Sequence, residues 1–273
     1  YGYNKPKVPL TTAQHTQRDK IMWCVLSWRR LPDASKAEWE AKAKGQGQSG
    51  YSYFVSQTCG YIFDPECVLY LPLYYPELSG GSFKSRDSYG HLSTVTGATW
   101  GSLGRTLDGD GDKITIPYHS AWNFGAGEFC IEIWIATGAS GLWQDVFNVG
   151  RSPTHESLLI GLATNQQVYC DWNSTDTYLK STTLLTVGEC FHIVYQRVVN
   201  TAEIYVNATQ ENTADLTGIT LKTPSNGLSI GEDILTGFSS DFNGLVGEVR
   251  IYTRALNPQE IQHNCLATKW RYG

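Results

Sequence analysis

Charge is scarce in this chain. Asp, Glu, Lys and Arg make up 17% of its 273 residues, against about a quarter in ordinary soluble domains. No run of eighteen apolar residues occurs, so no membrane-spanning helix is predicted. The seven cysteines include no C-x-x-C pair, which excludes zinc-ribbon and thioredoxin-type readings. The six histidines, at 15, 91, 119, 155, 192 and 263, lack ligand spacing. A nucleophile elbow and a phosphate-cradling glycine loop are missing as well. What fills the chain instead is Gly, Ser, Thr, Asn and Tyr, a mixture that favours strands and tight turns. Hydrophobic residues, at 41%, suffice for a substantial core. Sixteen Tyr and nine Trp supply rings with an apolar body and a polar tip, suited to cores, interfaces and sugar faces.

Charge is also unevenly spread. Residues 1–60 hold nine basic and four acidic groups, for +5, and the remainder holds 12 basic and 22 acidic groups, for −10. Such asymmetry predicts two units with different surfaces, able to steer association between copies or to bring the first segment to an anionic partner. Two ordinary solvated surfaces would give the same split. The chain begins at Tyr1 rather than Met, which predicts a processed or trimmed product; a removed secretion signal is one explanation. Asn173-Ser174-Thr175 and Asn207-Ala208-Thr209 fit the N-glycosylation acceptor pattern, a pointer to an extracellular setting. Cys59 and Cys67 flank a short Gly- and Pro-containing segment and are candidates for a local disulfide. Cys130, Cys190 and Cys265 lie in apolar stretches and read as small core residues.

Residues 1–10, with two prolines and no periodicity, predict an extended arm, and residues 11–67 a small helical module. Thr11-x-x-Gln14 has capping-box spacing, and Ile21, Val25, Trp28 and Leu31 recur at helical intervals until Pro32. Ser35-x-x-Glu38 opens a second helix carrying Ala37, Trp39, Ala41 and Ala43. Gly45 and Gly47 break it, and Ser49 begins a third through Tyr51, Phe54 and Val55. The aromatic stripe reads as core; nucleic-acid binding is not expected.

From Val68 onward the pattern changes to short β-rich runs broken by Gly, Ser, Asn and Asp. Candidate strands are 68–73, 113–117, 129–136, 146–149, 157–162, 167–171, 191–198, 203–206, 227–230 and 245–252. Many short strands with turn signals point to a sandwich or barrel, not to βαβ units. Phe129, Ile131, Ile133 and Ile135 share one face. Cys130, Glu132 and Trp134 share the other, which is expected to be partly wet.

Four segments in co-linear order carry a family resemblance. They are LYLPLYYPELSGGSFKSRDSYGHLSTVTGATWG, GRTLDGDGDKITIP (Leu107 standing where Phe is usual), FGAGEFCIEIWIA and GLVGEVRIYTRALNPQEIQHN. Together they resemble the laminin-G-like, concanavalin-A-like lectin jelly-roll superfamily. This implies a mainly β fold, an antiparallel jelly-roll β-sandwich over 68–273, preceded by a small three-helix module. That module, QRDKIMWCVLSWRRLPDASKAEWEAKAKGQGQSGYSYFVS, resembles those of environmental viral structural proteins and, more faintly, an HMG box.

Fold alone does not assign function. Asp108, Asp110 and Asp112 alternate with glycines, a pattern able to offer oxygen ligands to calcium or, equally, to form a polar turn. It is not an EF-hand, because Lys113 stands at the sixth position and His119 at the twelfth. Some members of the resembled family hold calcium near this loop, helped by an Asp that here is Gly247, before Glu248. No cofactor is otherwise required. Trp143, Tyr169, Trp172 and Tyr178 lie in or beside predicted loops and can form a carbohydrate-stacking platform; core packing and a subunit contact are the alternatives.

The Glu-x-Asp-x-Glu strand of sandwich glucanases is absent. Glu128 and Glu132, four apart, are the remaining carboxylate pair. Three readings follow, in this order. The first is a non-enzymatic structural subunit of a virion-surface or extracellular filament assembly, with copies of itself as partners. The second is a module binding cell-surface or matrix glycans. The third is a glycoside hydrolase. The expected location is extracellular or on a virion surface.

Overall fold

The computed structural model describes residues 24–25, 28–29, 31, 33–44, 47–61, 64, 66–152, 155–173, 178–224, 226–232 and 240–272. The chain divides into two compact units, Tyr1–Asp64 and Pro65–Gly273.

In the first unit, helix α1 spans Asp33–Ala43 and α2 spans Gly50–Tyr61. The arm and most of the helix expected over 11–31 lie outside the described residues; Cys24, Val25, Trp28 and Arg29 have helical backbone. Ser49 caps α2, its Oγ accepting from the N–H of Ser52 at 3.1 Å. Glu40 of α1 accepts from the Gly50 N–H at 2.8 Å. Trp39 and Phe54 meet edge to face at 5.3 Å, with Trp28 against Phe54 at 5.5 Å. The aromatic stripe is thus core packing, as the sequence predicts.

The second unit is a sandwich of two eight-stranded antiparallel sheets. The first sheet runs β14 (Thr209–Asp215), β13 (Thr201–Val206), β12 (Phe191–Val198), β7 (Phe129–Thr137), β16 (Asn243–Tyr252), β5 (Gly104–Asp108), β4 (Thr99–Gly101). Strand β1 (Cys67–Pro72) pairs with the second half of β16, on the edge whose first half pairs with β5. The second sheet runs β11 (Leu179–Leu184), β10 (Gln167–Trp172), β9 (His155–Leu162), β8 (Gln144–Ser152), β15 (Leu228–Ile230), β6 (Lys113–Ile116), β3 (Leu92–Thr96), β2 (Ser82–Lys84). A single core lies between them. It takes Phe129, Ile131, Ile133 and Ile135 from one side and Phe147, Ile160, Val168 and Trp172 from the other.

Two β-bulges decide what the outer faces carry. In β16 the register shifts between Val246 and Glu248. Val246 and Val249 therefore both point into the core, while Glu248 and Arg250 face outward. In β8 it shifts between Asp145 and Phe147. Asp145 then lies on the outer face although Phe147, two residues on, lies in the core.

The outer face of the first sheet corrects the sequence reading. Cys130, Glu132 and Trp134 are not partly wet; they are buried, because helix α3 (Pro258–Tyr272) lies over them. Asn257 and Glu260 cap this helix reciprocally, at 2.8 and 3.0 Å. Its buried stripe is Ile261, Asn264, Cys265, Thr268 and Tyr272. The indole of Trp134 donates to Thr268 Oγ1 at 2.9 Å and stacks on Tyr272 at 4.5 Å. A Cβ at Gly247 would come within 2.4 Å of the Tyr272 hydroxyl. A carboxylate side chain at this position would therefore meet the Tyr272 ring.

Among the cysteines, Cys130 and Cys265 are buried as expected, whereas Cys190 is only half-buried. Cys67 Sγ lies 3.3 Å from the Leu69 carbonyl oxygen. The proposed Cys59–Cys67 pair falls outside the described residues because the Cys59 side chain does.

Candidate functional site

Strand alternation brings three of the four expected rings together and separates the fourth. Tyr169 on β10 points outward, Trp143 reaches it from the β7–β8 loop, and Tyr178 reaches it from the start of β11. The ring centroids are 5.0 Å apart for Trp143–Tyr169, 5.3 Å for Tyr169–Tyr178 and 6.0 Å for Trp143–Tyr178. Trp143 and Tyr178 are 42% and 37% exposed, and Tyr169 is 3% exposed. The trio is thus a buried tyrosine supporting two half-open rings. Trp172 is a correction. Three residues on from Tyr169, it falls on the opposite face of β10 and belongs to the inter-sheet core.

The platform is held from beneath. The Tyr169 hydroxyl donates to Asp145 Oδ1 at 2.8 Å, and Ser240 Oγ donates to Oδ2 at 3.1 Å. Across the sheet Asp145 pairs with Gly161, Gly161 with Tyr169 and Tyr169 with Lys180. A Cβ at Gly161 would meet the Tyr169 ring at 2.6 Å. Glycine there lets the ring lie across β9 and reach Asp145. Lys180 places its ammonium 5.6 Å from the Trp143 centroid and 5.4 Å from that of Tyr178. Asp145, Gly161 and Lys180 were not foreseen. A glycine inside a strand pattern was the one sequence signal for a close approach.

The Asp108–Asp112 loop is built as a turn. Asp108 Oδ1 accepts from the Asp110 N–H at 2.9 Å, and Asp112 Oδ2 accepts from the Asp108 N–H at 3.1 Å. Asp241 accepts from the Gly111 N–H at 2.9 Å. Gly109 and Gly111 take positive φ values of 82° and 79°. Burial, with the neighbouring Asp108 and Asp110, raises the Asp112 carboxyl above the usual carboxylate range. Among the described residues no group of three acidic, His or Cys side chains converges to hold a metal. The Asp108 and Asp112 carboxylates accept the loop's own amides, the arrangement of a polar turn.

The two acceptor asparagines differ. Asn173 is engaged at both ends, its Nδ2 donating to the Thr220 carbonyl at 2.9 Å and its Oδ1 accepting from the Lys222 N–H at 2.8 Å. An amide nitrogen so committed is a poor glycan acceptor. Asn207 is exposed at the first position of a two-residue hairpin turn, with φ values of 50° there and 64° at Ala208. Its Oδ1 accepts from the His192 N–H at 3.0 Å, which leaves Nδ2 to solvent.

The carboxylate pair is also resolved. Glu128 accepts from the Val199 N–H at 3.1 Å. Glu132 is 2% exposed beneath α3. There it receives the Asn264 amide at 2.8 Å and lies 3.7 Å from Arg250, which contacts Glu248 at 2.5 Å. Burial pushes the Glu132 carboxyl up to about 7, against the pull of Arg250 and Asn264. His192 Nε2 lies 3.6 Å from Glu132 Oε1, beyond good hydrogen-bond reach. Burial, with Arg250 nearby, lowers the His192 imidazole to about 3. Such perturbed groups often mark active sites, but helix α3 closes this one to substrate.

A family model described as the concanavalin A-like lectin/glucanases superfamily matches residues 108–262. A sialidase of Trypanosoma rangeli, in complex with 2,3-difluorosialic acid, is similar in structure with a TM-score of 0.61 at 15% identity, over 77% of this chain and 34% of that one. The binding domain of Paraclostridial Mosquitocidal Protein 1 gives 0.58 at 13% identity, over 74% and 52%. The receptor binding domain of botulinum neurotoxin D gives 0.58 at 11%, over 73% and 52%. The chain thus spans about a third of the sialidase's length, and at these identities the likeness is one of fold. No curated protein sequence matches the chain. Among the described residues no helix is long and apolar enough to cross a membrane.

Proposed function

The chain belongs to the concanavalin A-like lectin/glucanases superfamily, and from that premise we propose that its sandwich is a non-enzymatic glycan-binding module. The observation that carries this reading is the half-open Trp143–Tyr178 surface backed by the buried Tyr169–Asp145 pair. A pyranose offers an apolar C–H face that an indole or phenol ring can cover, while its hydroxyls stay wet at the rim. Rings already held in place lose little freedom on binding. The two toxin binding domains of the same fold support recognition as a use for such a sandwich. Glu132 lies covered by α3 and Glu128 accepts from backbone, so neither member of that pair is available to support hydrolysis at the rings. An extracellular or particle-surface location follows from this role.

A glycan array, with calorimetry on the best binders, tests the proposal. Trp143→Ala and Tyr178→Ala are expected to lower affinity at least about tenfold, or about 1.4 kcal/mol, with unchanged circular dichroism. Absence of any glycan signal from the wild-type chain refutes it.

Self-assembly, the other reading, rests on the split between a +5 segment and a −10 remainder, which favours head-to-tail contact between copies. Sedimentation velocity at low and high salt tests it; a monomer under both conditions refutes it. A displayed sandwich can still bind glycans, so the two roles are compatible.

A further inference from the structure

The ring trio has a charge attached to it that stacking does not require. Lys180 sits directly across from Tyr169 and holds its ammonium over both exposed rings, 5.6 Å from one centroid and 5.4 Å from the other. No acidic side chain pairs with it among the described residues. The nearby acids are turned to other donors. Asp145 receives Tyr169 and Ser240, and Asp171 receives the Trp172 N–H at 2.7 Å. Glu211 receives the backbone N–H groups of Thr182 and Thr183 at 2.7 and 3.0 Å, together with the Thr183 hydroxyl. Among the described residues the site therefore presents one positive charge without an acidic partner, at the edge of an apolar platform. It does so on a segment that is otherwise strongly acidic, at −10 over residues 61–273.

We propose that this site selects saccharides bearing an anionic group, a carboxylate or a sulfate, over their neutral parents. The inference rests on the glycan-binding reading above and adds the ligand class to it. A neutral pyranose must displace the ammonium from the ring faces and returns no charge to it, forfeiting a cation–π contact. An acidic pyranose lays its C–H face on Trp143 and gives Lys180 a charge-assisted hydrogen bond, roughly twice as strong as a neutral one. The acidic surroundings repel anions in general. An anionic glycan that binds is therefore held at this lysine and not by diffuse attraction.

The test compares matched probes by calorimetry: lactose, its sialylated form as carboxylate and its 3-sulfated form as sulfate. Lys180→Gln and Trp143→Ala are measured beside the wild-type chain. At least one acidic probe is expected to bind about tenfold more tightly than lactose. In Lys180→Gln that ratio falls to about one. Trp143→Ala weakens neutral and acidic probes alike. The preference also shrinks at about 0.5 M salt, because the ammonium is partly solvated. The two acidic probes distinguish carboxylate from sulfate. Equal affinity for neutral and acidic probes, or a preference that survives Lys180→Gln, overturns the inference and leaves glycan binding standing. Failure of every glycan to bind overturns both.

Discussion

Glu132→Gln isolates the cost of a buried charge. The Glu132 carboxyl moves from 4.5 to about 7, chiefly by burial, so ionising it in the fold costs about 3 kcal/mol more than ionising it in the unfolded chain. The folded value lies above the unfolded one. The fold therefore holds the proton more tightly, and this contribution is fully present below about pH 4.5 and lost as pH rises through about 7. Glutamine keeps the shape and cannot ionise. Arg250 keeps Glu248 as its partner, so the change strands no cation. The variant is accordingly expected to gain about 3 kcal/mol relative to wild type between about pH 4.5 and pH 9. Any constant loss from exchanging a hydrogen-bond acceptor cancels in that difference. His192 titrates the other way: lowered to about 3, it costs stability as pH falls from about 6.5. That cost is common to both proteins. Urea denaturation followed by tryptophan fluorescence at four pH values measures the effect, since Trp134 packs in the same layer. Wild-type and variant stabilities that run parallel across the range would refute the burial argument.

Three further outcomes follow from single contacts. Gly161→Ala drives a methyl group into the Tyr169 ring and should cost about 1–3 kcal/mol, with glycan affinity lost in parallel; calorimetry and thermal melts check both. Chelator or added calcium should move the melting midpoint by less than about one degree, because the Asp108–Asp112 carboxylates already accept the loop's own amides. A shift of several degrees would indicate a metal site there. Expressed through a glycosylating secretory route, the chain should gain one N-glycan, at Asn207 and not at Asn173. Mass spectrometry of the wild type and Asn207→Gln decides this.

The interior of the sandwich was legible and its rim was not, for one physical reason. A strand with neighbours on both sides must bury one face, and burial writes a period-two apolar pattern, as in Phe129–Thr137 or Phe191–Val198. Strands β14 and β4 end the first sheet, and β11 and β2 end the second; none of these was among the predicted strands. Their sequences, such as Thr-Gln-Glu-Asn-Thr-Ala-Asp in β14, are short or polar in the way that guards edges against further pairing. Strands β3 and β5 were visible only through family resemblance. At the site, the residue types Trp143, Tyr169 and Tyr178 could be read, but their convergence could not. It depends on the bulge at Asp145–Phe147, which shifts the facing of one strand by a residue and leaves no mark in composition. The same parity argument, applied to β10 alone, would have removed Trp172 from the set.

The two outer faces of the sandwich differ in what they leave open, and the proposed glycan site rests on that difference. The first sheet carries the charged residues Glu132, Glu248 and Arg250, the more suggestive set chemically, yet a fifteen-residue helix seals them from solvent. Burying three ionisable groups that way is costly, and their mutual contacts offset the cost without any ligand. The second sheet carries Trp143 and Tyr178, which no element of the described sandwich covers and which water reaches. Leaving such rings half open forgoes apolar burial worth about 25 cal/mol per Å², although the sequence had a helix available to cover them. That helix lies instead over the charges. Perturbed carboxylates are therefore the wrong guide in this molecule. A better one is apolar surface left open beside a cation, as at Trp143 and Tyr178 beside Lys180, which has no acidic partner among the described residues.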